Sequence, residues 1–460
     1  MSGASDRLRR RWPRVAAAAV LVLACAASLA LNWPGQLSYD SVVQLHDGRT
    51  GHYNPWHPPV MAWMLGIADS ILPGTGLFIL FDSVLLFAGL LSLLWLARRV
   101  SWAAAIAAAI CSALPQLVLY QGIVWKDVLF ADAAVAGFVL LAHAAAQWPR
   151  NGLRWLLICS GVLFLALATL ARQNGAIALV LGVAALVIIA RKQGLRWRGA
   201  LVCGIAAGTF AIGVVAIAGM ALAARSTGVS GPAGQVKLLQ LYDLIGEVKT
   251  DPALKLETLT RANPDLVQLM RSDGVRLYTP TRNDTLVGSP DLQNEFADTG
   301  PAAISSQWLE VLLHHPLDYL RVRARVFDRV FLTPGLRQCA PYYTGIAGPP
   351  QYLKELGLKR RFRPQDAALG NYAALFVSTP VYSHAAWAAL ALALLVFLVR
   401  RRGPADIAIA SLLAAALIFV SSFFVISIAC DYRYLLFLDL SAMTALFYCA
   451  ATWREGQDSA

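Results

Sequence analysis

The chain has 460 residues, of which 58% are hydrophobic and 14% are charged, and its mean hydropathy is +0.57. This composition excludes an ordinary soluble protein and is typical of a polytopic membrane protein. The net charge of +12 does not indicate nucleic acid as a partner, because the basic residues stand mostly in short clusters between apolar runs, where they signal topology.

The first apolar run, residues 15–31, is long enough to cross a bilayer as a helix and follows a cluster of arginines. Clustered arginine marks the cytoplasmic flank, so residues 32–76 are expected to form the first outer loop. That loop carries Asp40, Asp47 and His57 among aromatic residues, which suits a ligand headgroup; an ordinary solvated loop is the alternative. The run lacks a clear cleavage site, so it is expected to be retained.

A short apolar helix is expected at residues 60–72, at the interface or re-entrant, and nine further runs are predicted to cross the membrane. These runs are residues 77–97, 102–120, 128–147, 156–171, 176–190, 200–224, 381–399, 407–429 and 434–451. The short basic turns between them all fall on one side, so both termini are expected to be cytoplasmic in a cell (inner) membrane.

The predicted fold is therefore an all-α polytopic membrane protein with about ten transmembrane helices. Residues 1–224 form a transmembrane module that includes the first outer loop, and residues 381–460 form a C-terminal transmembrane module. Between spans 7 and 8, residues 225–380 have ordinary soluble composition and predict an inserted, mainly α, extracytoplasmic domain.

Charged and polar residues collect at the predicted outer ends of the spans. Placing a charge inside a span costs about 2.5–3.5 kcal/mol, so such groups tend to be functional or interfacial. Arginine binds phosphate oxygens in a bidentate manner and lysine binds them as a point charge, which predicts contacts to an anionic lipid headgroup. The alternative is snorkelling to native phospholipids. The candidate substrate-binding residues here are Lys126, Asp127, Arg172, Asn174, Asp431 and Arg433.

Asp40 is the candidate general base, because it follows the first span closely and lies near the membrane plane. A carboxylate that is partly desolvated there can have a raised pKa, which suits removal of a proton from an acceptor hydroxyl or amine. The alternative is a helix-capping role before residues 41–43. Asp47 is a second, weaker candidate and, with His57, a candidate for substrate binding.

The seven cysteines show no CxxC pair or zinc-like spacing, and five of them lie inside apolar runs. Cys339 and Cys430 are both expected outside, where they form either a disulfide or two free thiols. No Gly-rich phosphate loop, HExxH or GxSxG motif is present, so no cofactor is predicted, while a divalent metal is left open. Since the outer face has no nucleotide-sugar pool, a sugar transferred there is expected to arrive on a lipid carrier.

This layout resembles the GT-C superfamily of membrane glycosyltransferases, which use polyprenyl-phosphate sugars. The likeness rests on Asp40 within SYDSVVQ, on His57-Pro58-Pro59 leading into a short helix, and on the insertion at residues 225–380. It implies transfer of a sugar from a polyprenyl-phosphate carrier to an extracytoplasmic glycan, lipid or protein acceptor, in contact with membrane lipids.

By that resemblance Asp40 is the base, and Lys126, Arg172 and Arg433 hold the donor phosphate by their position. Many members have two adjacent acids in the first loop, whereas Asp40 stands between Tyr39 and Ser41. This departure counts against a metal or two-carboxylate mechanism and leaves open an inverting transfer with a single base.

Two other classes remain open from the sequence. A transporter or flippase of a lipid-linked or anionic substrate also has charges at span ends, and Asp82 and Asp132, inside predicted spans, favour it. A polysaccharide polymerase or ligase that uses the same lipid carriers is the third reading.

Overall fold

The structure, a computed structural model, describes residues 2–226 and 232–453, and in these ranges the chain is α-helical with isolated β-bridges and no strands. In chain order the helices are α1 (Ser2–Asn32), α2 (Tyr39–Thr50), α3 (Pro59–Ile71), α4 (Gly76–Leu93), α5 (Trp102–Ser112), α6 (Pro115–Val118), α7 (Lys126–Ala146), α8 (Asn151–Ala171), α9 (Ala176–Lys192), α10 (Trp197–Ala223), α11 (Pro232–Thr250), α12 (Glu257–Ala262), α13 (Pro264–Leu269), α14 (Val275–Leu277), α15 (Asp284–Val287), α16 (Pro290–Asp298), α17 (Pro301–His314), α18 (Pro316–Phe331), α19 (Pro350–Glu355), α20 (Pro364–Ala374), α21 (His384–Arg401), α22 (Pro404–Ile426) and α23 (Leu436–Ala451).

Nine helices within the described ranges are long and apolar enough to cross a membrane, and a tenth is counted when the bent pair α5 and α6 is one span. The predicted all-α polytopic fold with about ten spans is confirmed. The predicted span at residues 102–120 is bent by 72°. Pro115 explains the bend, because proline lacks an N–H and disfavours helical backbone at the residue before it; Leu114 is extended. Helix α3 has 13 residues, or about 20 Å, which is too short to span.

The chain divides into two compact units. Among the described residues, the first unit holds residues 2–226, 342–419 and 435–453, and the second unit holds residues 232–341 and 420–434. The second unit is thus smaller than the predicted domain at residues 225–380. Residues 342–380 belong to the first unit, where Leu37 N donates to Gly345 O (2.9 Å) and Ala347 N donates to Leu37 O (3.0 Å).

Helix α7 is the centre of the first unit. It contacts α4, α8, α9 and α23, and 89% of its most apolar 18-residue window is buried inside the protein. Because neighbours cover it on all sides, its first residues, Lys126 and Asp127, have a fixed position at one end of the helical bundle.

The second unit is a helical core in which α11 packs against α17 and α18. At its centre Arg323 Nη1 donates to Asp243 Oδ1 (2.8 Å), and both side chains are buried. Trp308 Nε1 and Tyr319 Oη also donate to Asp243, so this buried charge has several partners, as a buried carboxylate requires. Arg323 Nε donates to Phe424 O (2.8 Å), which explains why residues 420–434 belong to this unit.

Candidate active site

The start of α2 is fixed against the segment that leads into α7. Ser38 is the N-cap residue of α2, and Asp40 is the second residue of the helix, so Asp40 does not occupy the capping position. Ser41 Oγ donates to Val124 O (2.6 Å), and Trp125 Nε1 donates to Ser38 Oγ (2.9 Å). These bonds bring Asp40 to the N-terminal end of α7, although the two lie far apart in sequence.

Asp40, His57 and Lys126 lie together in the first unit. Asp40 Oδ1 is 3.8 Å from His57 Nε2, and His57 Nδ1 is 3.2 Å from Lys126 Nζ. An ammonium group only donates hydrogen bonds, so His57 Nδ1 acts as the acceptor and the ring proton is on Nε2, the atom that faces Asp40. The Asp40 side chain is 29% exposed, which leaves it accessible to a substrate.

Asp127 and Arg172 form an ion pair beside this group. Arg172 follows the last residue of α8, and its Nη1 contacts Asp127 Oδ1 in the first turn of α7, so the pair joins the ends of two helices. The Asp127 carboxylate is buried and the guanidinium is mostly buried, 5.7 Å from the centre of the Phe419 ring. Asn174 lies in the 3₁₀ turn that follows, Gln173–Gly175. The structure therefore groups Asp40, His57, Lys126, Asp127 and Arg172 in one unit.

Asp47 has a different environment from Asp40. Its Oδ2 accepts a hydrogen bond from Asn54 N (2.9 Å), which closes the turn after α2. Burial raises the pKa of this carboxyl, and the bond from Asn54 acts in the opposite direction. These contacts give Asp47 a structural role in shaping the first loop.

The remaining sequence-predicted residues belong to the second unit. Arg433 Nη2 is 3.2 Å from Asp431 Oδ2, so the two form an ion pair with each other. Cys339 and Cys430 are joined in a disulfide with a Cα–Cα distance of 5.0 Å, which is within the range that such bonds require. The bond links residues 91 positions apart and attaches the 420–434 segment to the end of the 232–341 segment.

Sequence reasoning missed a segment that covers the first loop. Residues 343–363, which we call the strap, pair with the backbone just before α2, and Gly345 N donates to Gln36 Oε1 (2.7 Å). The Tyr343 ring centre is 6.5 Å from that of Trp125, the residue before Lys126. The signal available in the sequence was the basic run at residues 359–363, which the composition of the surrounding residues assigned to the outer domain.

Helices α2 and α3 pack closely enough that only glycine fits at their contact. A Cβ atom added to Gly48 would lie 2.2 Å from Ala62 O, and one added to Gly66 would lie 2.3 Å from Gly48 O. Arg49 Nη2 also donates to Asp69 Oδ1 (2.7 Å) across the same pair of helices. Helix α3 thus fixes the position of the helix that carries Asp40.

Gly48→Ala is expected to separate α2 from α3 and to destabilise the protein by about 1–3 kcal/mol, since the added methyl group meets backbone atoms that cannot rotate away. Thermal unfolding in detergent measures the effect. Gly89→Ala is the matched control, because a Cβ at Gly89 in α4 meets no atom within 4 Å. Equal unfolding temperatures for the two variants would contradict the close contact.

The residues around Asp40 do not by themselves make up a metal site. Asp40 and His57 supply two donor side chains, and no group of three or more His, Cys, Asp or Glu that could hold a metal ion occurs in residues 2–226 or 232–453.

No family model and no curated protein matches the chain. It is similar to the crystal structure of the Archaeoglobus fulgidus oligosaccharyltransferase in complex with Zn and sulfate, with 15% identity and a TM-score of 0.42, over 96% of this chain and 49% of that chain. It is also similar to the Archaeoglobus fulgidus oligosaccharyltransferase AglB in complex with an inhibitory peptide and a dolichol-phosphate, with 13% identity and a TM-score of 0.39, over 95% of this chain and 50% of that chain. The chain spans about half the length of these two solved structures, which are oligosaccharyltransferases.

Proposed function

We propose that the protein is a membrane glycosyltransferase that moves a sugar from a polyprenyl-phosphate carrier to an extracytoplasmic acceptor, with Asp40 as the general base. The observation that supports it most is the grouping of a partly exposed carboxylate with His57 and Lys126 at the end of a membrane-spanning helix. A lipid-linked donor has its reactive bond at this level of the bilayer, because its tail lies among the spans and its phosphate lies at their ends.

In the proposed reaction, Asp40 takes a proton from an acceptor hydroxyl or amine while the acceptor atom bonds to the anomeric carbon. The bond between that carbon and the carrier phosphate breaks, and the phosphate leaves with the electron pair. A single base on the face opposite the leaving group gives inversion at the anomeric carbon. Removal of a proton by one positioned carboxylate contributes typically 10²–10⁴-fold to the rate.

The other residues have supporting roles in this proposal. His57 places Nε2 3.8 Å from the Asp40 carboxylate and so provides a polar neighbour for it, while Lys126 contacts His57 Nδ1 and favours the tautomer with the proton on Nε2. Lys126 and Arg172 supply positive charge for the leaving phosphate. Asp127 fixes the position of Arg172 through their ion pair, and Asn174 lies in the turn that follows Arg172. Asp431 and Arg433 are further candidates for substrate contacts, carried by the second unit.

We also propose that both termini are cytoplasmic in a cell (inner) membrane and that the second unit is extracytoplasmic. The Cys339–Cys430 disulfide supports this side for the second unit, since disulfides persist in oxidising compartments. The basic turns at the other ends of the spans, such as residues 191–198, support the opposite side for the termini.

Reporter fusions test this topology. A fusion after Arg198 is expected to report the cytoplasm, and a fusion at Gly300 is expected to report the outer side. Arg198 is at the start of α10, and the rest of this helix, which is long and apolar enough to cross a membrane, lies between the two positions. A phosphatase and a fluorescent protein used as paired reporters give opposite readings at each position. Identical readings at both positions would overturn the topology and the outer location of the site.

The function itself is tested by turnover of radiolabelled polyprenyl-phosphate sugars in membranes with and without the protein. Transfer of label to a new product that depends on the protein supports the transferase. Movement of labelled lipid between leaflets with no new covalent product supports the flippase alternative, and a product that lengthens by repeat units supports the polymerase or ligase.

A further inference from the structure

The cations of the candidate active site already have partners. Lys126 contacts His57, and Arg172 pairs with Asp127. Within the strap, Arg361 and Arg363 both pair with Asp366, which is buried. A cation held by a carboxylate has its charge partly neutralised, and a phosphate that binds it must compete with that carboxylate.

Lys359 and Arg360 differ from these cations. Both side chains are exposed, and neither forms an ion pair with any Asp or Glu within the part of the chain that the structure describes. An arginine with an open guanidinium presents five N–H donors in a fixed fork, which matches the oxygens of a phosphate.

The position of Arg360 is fixed by its neighbour in the strap. Arg361 N donates to Ile346 O (3.1 Å) and Ile346 N donates to Arg361 O (2.8 Å), while Arg361 Nη2 donates to Gly35 O (3.1 Å). Gly35 is five residues before Asp40 in the chain, and Leu37 of the same segment pairs with the strap backbone. The backbone of Arg360 is therefore held beside the segment that leads into α2, the helix that carries Asp40.

The strap reaches the candidate active site through Tyr343. Burial raises the pKa of Tyr343, and the backbone hydrogen bond with Ala347 and the positive charge of Arg360 both act against that rise. The Tyr343 ring in turn lies 6.5 Å from the ring of Trp125, which precedes Lys126 and donates to Ser38 at the start of α2. Tyr343, in the same strap as Arg360, thus lies against the residue that joins the start of α2 to α7.

We propose that Arg360, assisted by Lys359, binds the phosphate of the lipid-linked donor and holds it over the first loop. This inference rests on the proposed function, in that it takes the donor to be a polyprenyl phosphate. The inference assigns the first contact with the phosphate to the strap, because a phosphate that binds Arg360 breaks no ion pair. A phosphate that binds Arg172 must compete with the Asp127 carboxylate.

The test is direct binding, which needs no turnover and no knowledge of the sugar. The protein is placed in nanodiscs of phosphatidylcholine, and binding of a short-chain polyprenyl phosphate is measured by calorimetry, with the uncharged polyprenol as the reference ligand. Arg360→Gln is expected to weaken binding of the phosphate by about tenfold to a hundredfold and to leave binding of the polyprenol unchanged. Arg360→Lys is expected to recover part of the loss, since it keeps the charge without the fork.

Arg198→Gln is the matched control, because it removes the same charge from an exposed arginine at the far end of α10. The other end of α10 lies near the first loop, where Tyr53 N donates to Arg225 O (3.1 Å), and a helix of 27 residues is about 40 Å long. Equal affinities for Arg360→Gln and Arg198→Gln would overturn the inference.

Three outcomes separate the possible sources of the phosphate and distinguish the failure of this inference from the failure of the proposed function. If phosphatidylglycerol in the nanodisc competes with polyprenyl phosphate at equal concentration, the strap binds anionic headgroups in general and the inference is wrong. If the unchanged protein binds polyprenyl phosphate no more tightly than polyprenol, the proposed donor itself is wrong. Tight binding that Arg360→Gln does not alter leaves the proposed function standing and removes only the role of Arg360.

Discussion

Asp40→Asn is expected to reduce sugar transfer by about a thousandfold or more while the protein remains folded and inserted. The carboxamide has nearly the same shape as the carboxylate, so α2 and its contacts to residues 123–125 are retained, but it cannot accept the proton of the acceptor. Transfer is measured with saturating lipid-linked donor, and folding is followed by the unfolding temperature in detergent. His57 and Lys126 remain in place in this variant, so the loss is assigned to the carboxylate itself.

Two matched variants complete this experiment. Asp47→Asn is expected to retain near-normal transfer, because the amide oxygen still accepts the hydrogen bond from Asn54 that closes the turn. Asp127→Asn leaves the mostly buried Arg172 without its charged partner and is expected to lower the unfolding temperature as well as the rate. Near-normal transfer by Asp40→Asn would remove Asp40 from the catalytic role, and a selective loss in Asp47→Asn would assign that role to Asp47.

Replacing both Cys339 and Cys430 by Ala is expected to destabilise the second unit by about 4–5 kcal/mol. The bond joins residues that are 91 positions apart, and it restricts the conformational entropy of the unfolded chain. In the chain-entropy model, removing a bond that closes so long a loop restores that entropy and lowers the free energy of unfolding. Limited proteolysis with increasing denaturant measures the midpoint for this unit. Both cysteines are buried, so alanine also avoids leaving a polar group in their place.

Cys159→Ala is the control for this pair, because Cys159 is an exposed free cysteine in α8, within the first unit. It is expected to leave the midpoint of the second unit unchanged. Peptide mass spectrometry without reduction identifies the crosslink directly. Alkylation of both thiols without prior reduction, in protein taken from an oxidising compartment, would contradict the disulfide.

Hydrophobic patterning by itself determined the spans, because the requirement for an apolar stretch of about 20 residues is a local property of the chain. The same patterning favoured an interfacial or re-entrant helix at residues 60–72 over a span, and α3 has 13 residues. Hydrophobic patterning did not predict the bend at Pro115, because the mean hydropathy of a window of about 20 residues changes little when one residue in it is proline. Asp40 was selected from its distance to the first span and its neighbours, which are also local features.

The tertiary structure alone decided which groups surround Asp40. His57 and Lys126 are 69 residues apart, and Gly345 and Gln36, which join the strap to the first loop, are 309 apart. Periodicity and composition carry no information about pairs at such separations, so the sequence contained no sign that the run at residues 359–363 lies beside the segment before α2. For the same reason the sequence could not identify the partners of Asp47 and Arg172. In the structure Asp47 accepts a hydrogen bond from Asn54 N, and Arg172 forms an ion pair with Asp127. A buried polar group without a partner destabilises the folded state, so folding favours partners for buried charges. The sequence shows where these charges are along the chain, but only the fold shows which groups pair with them.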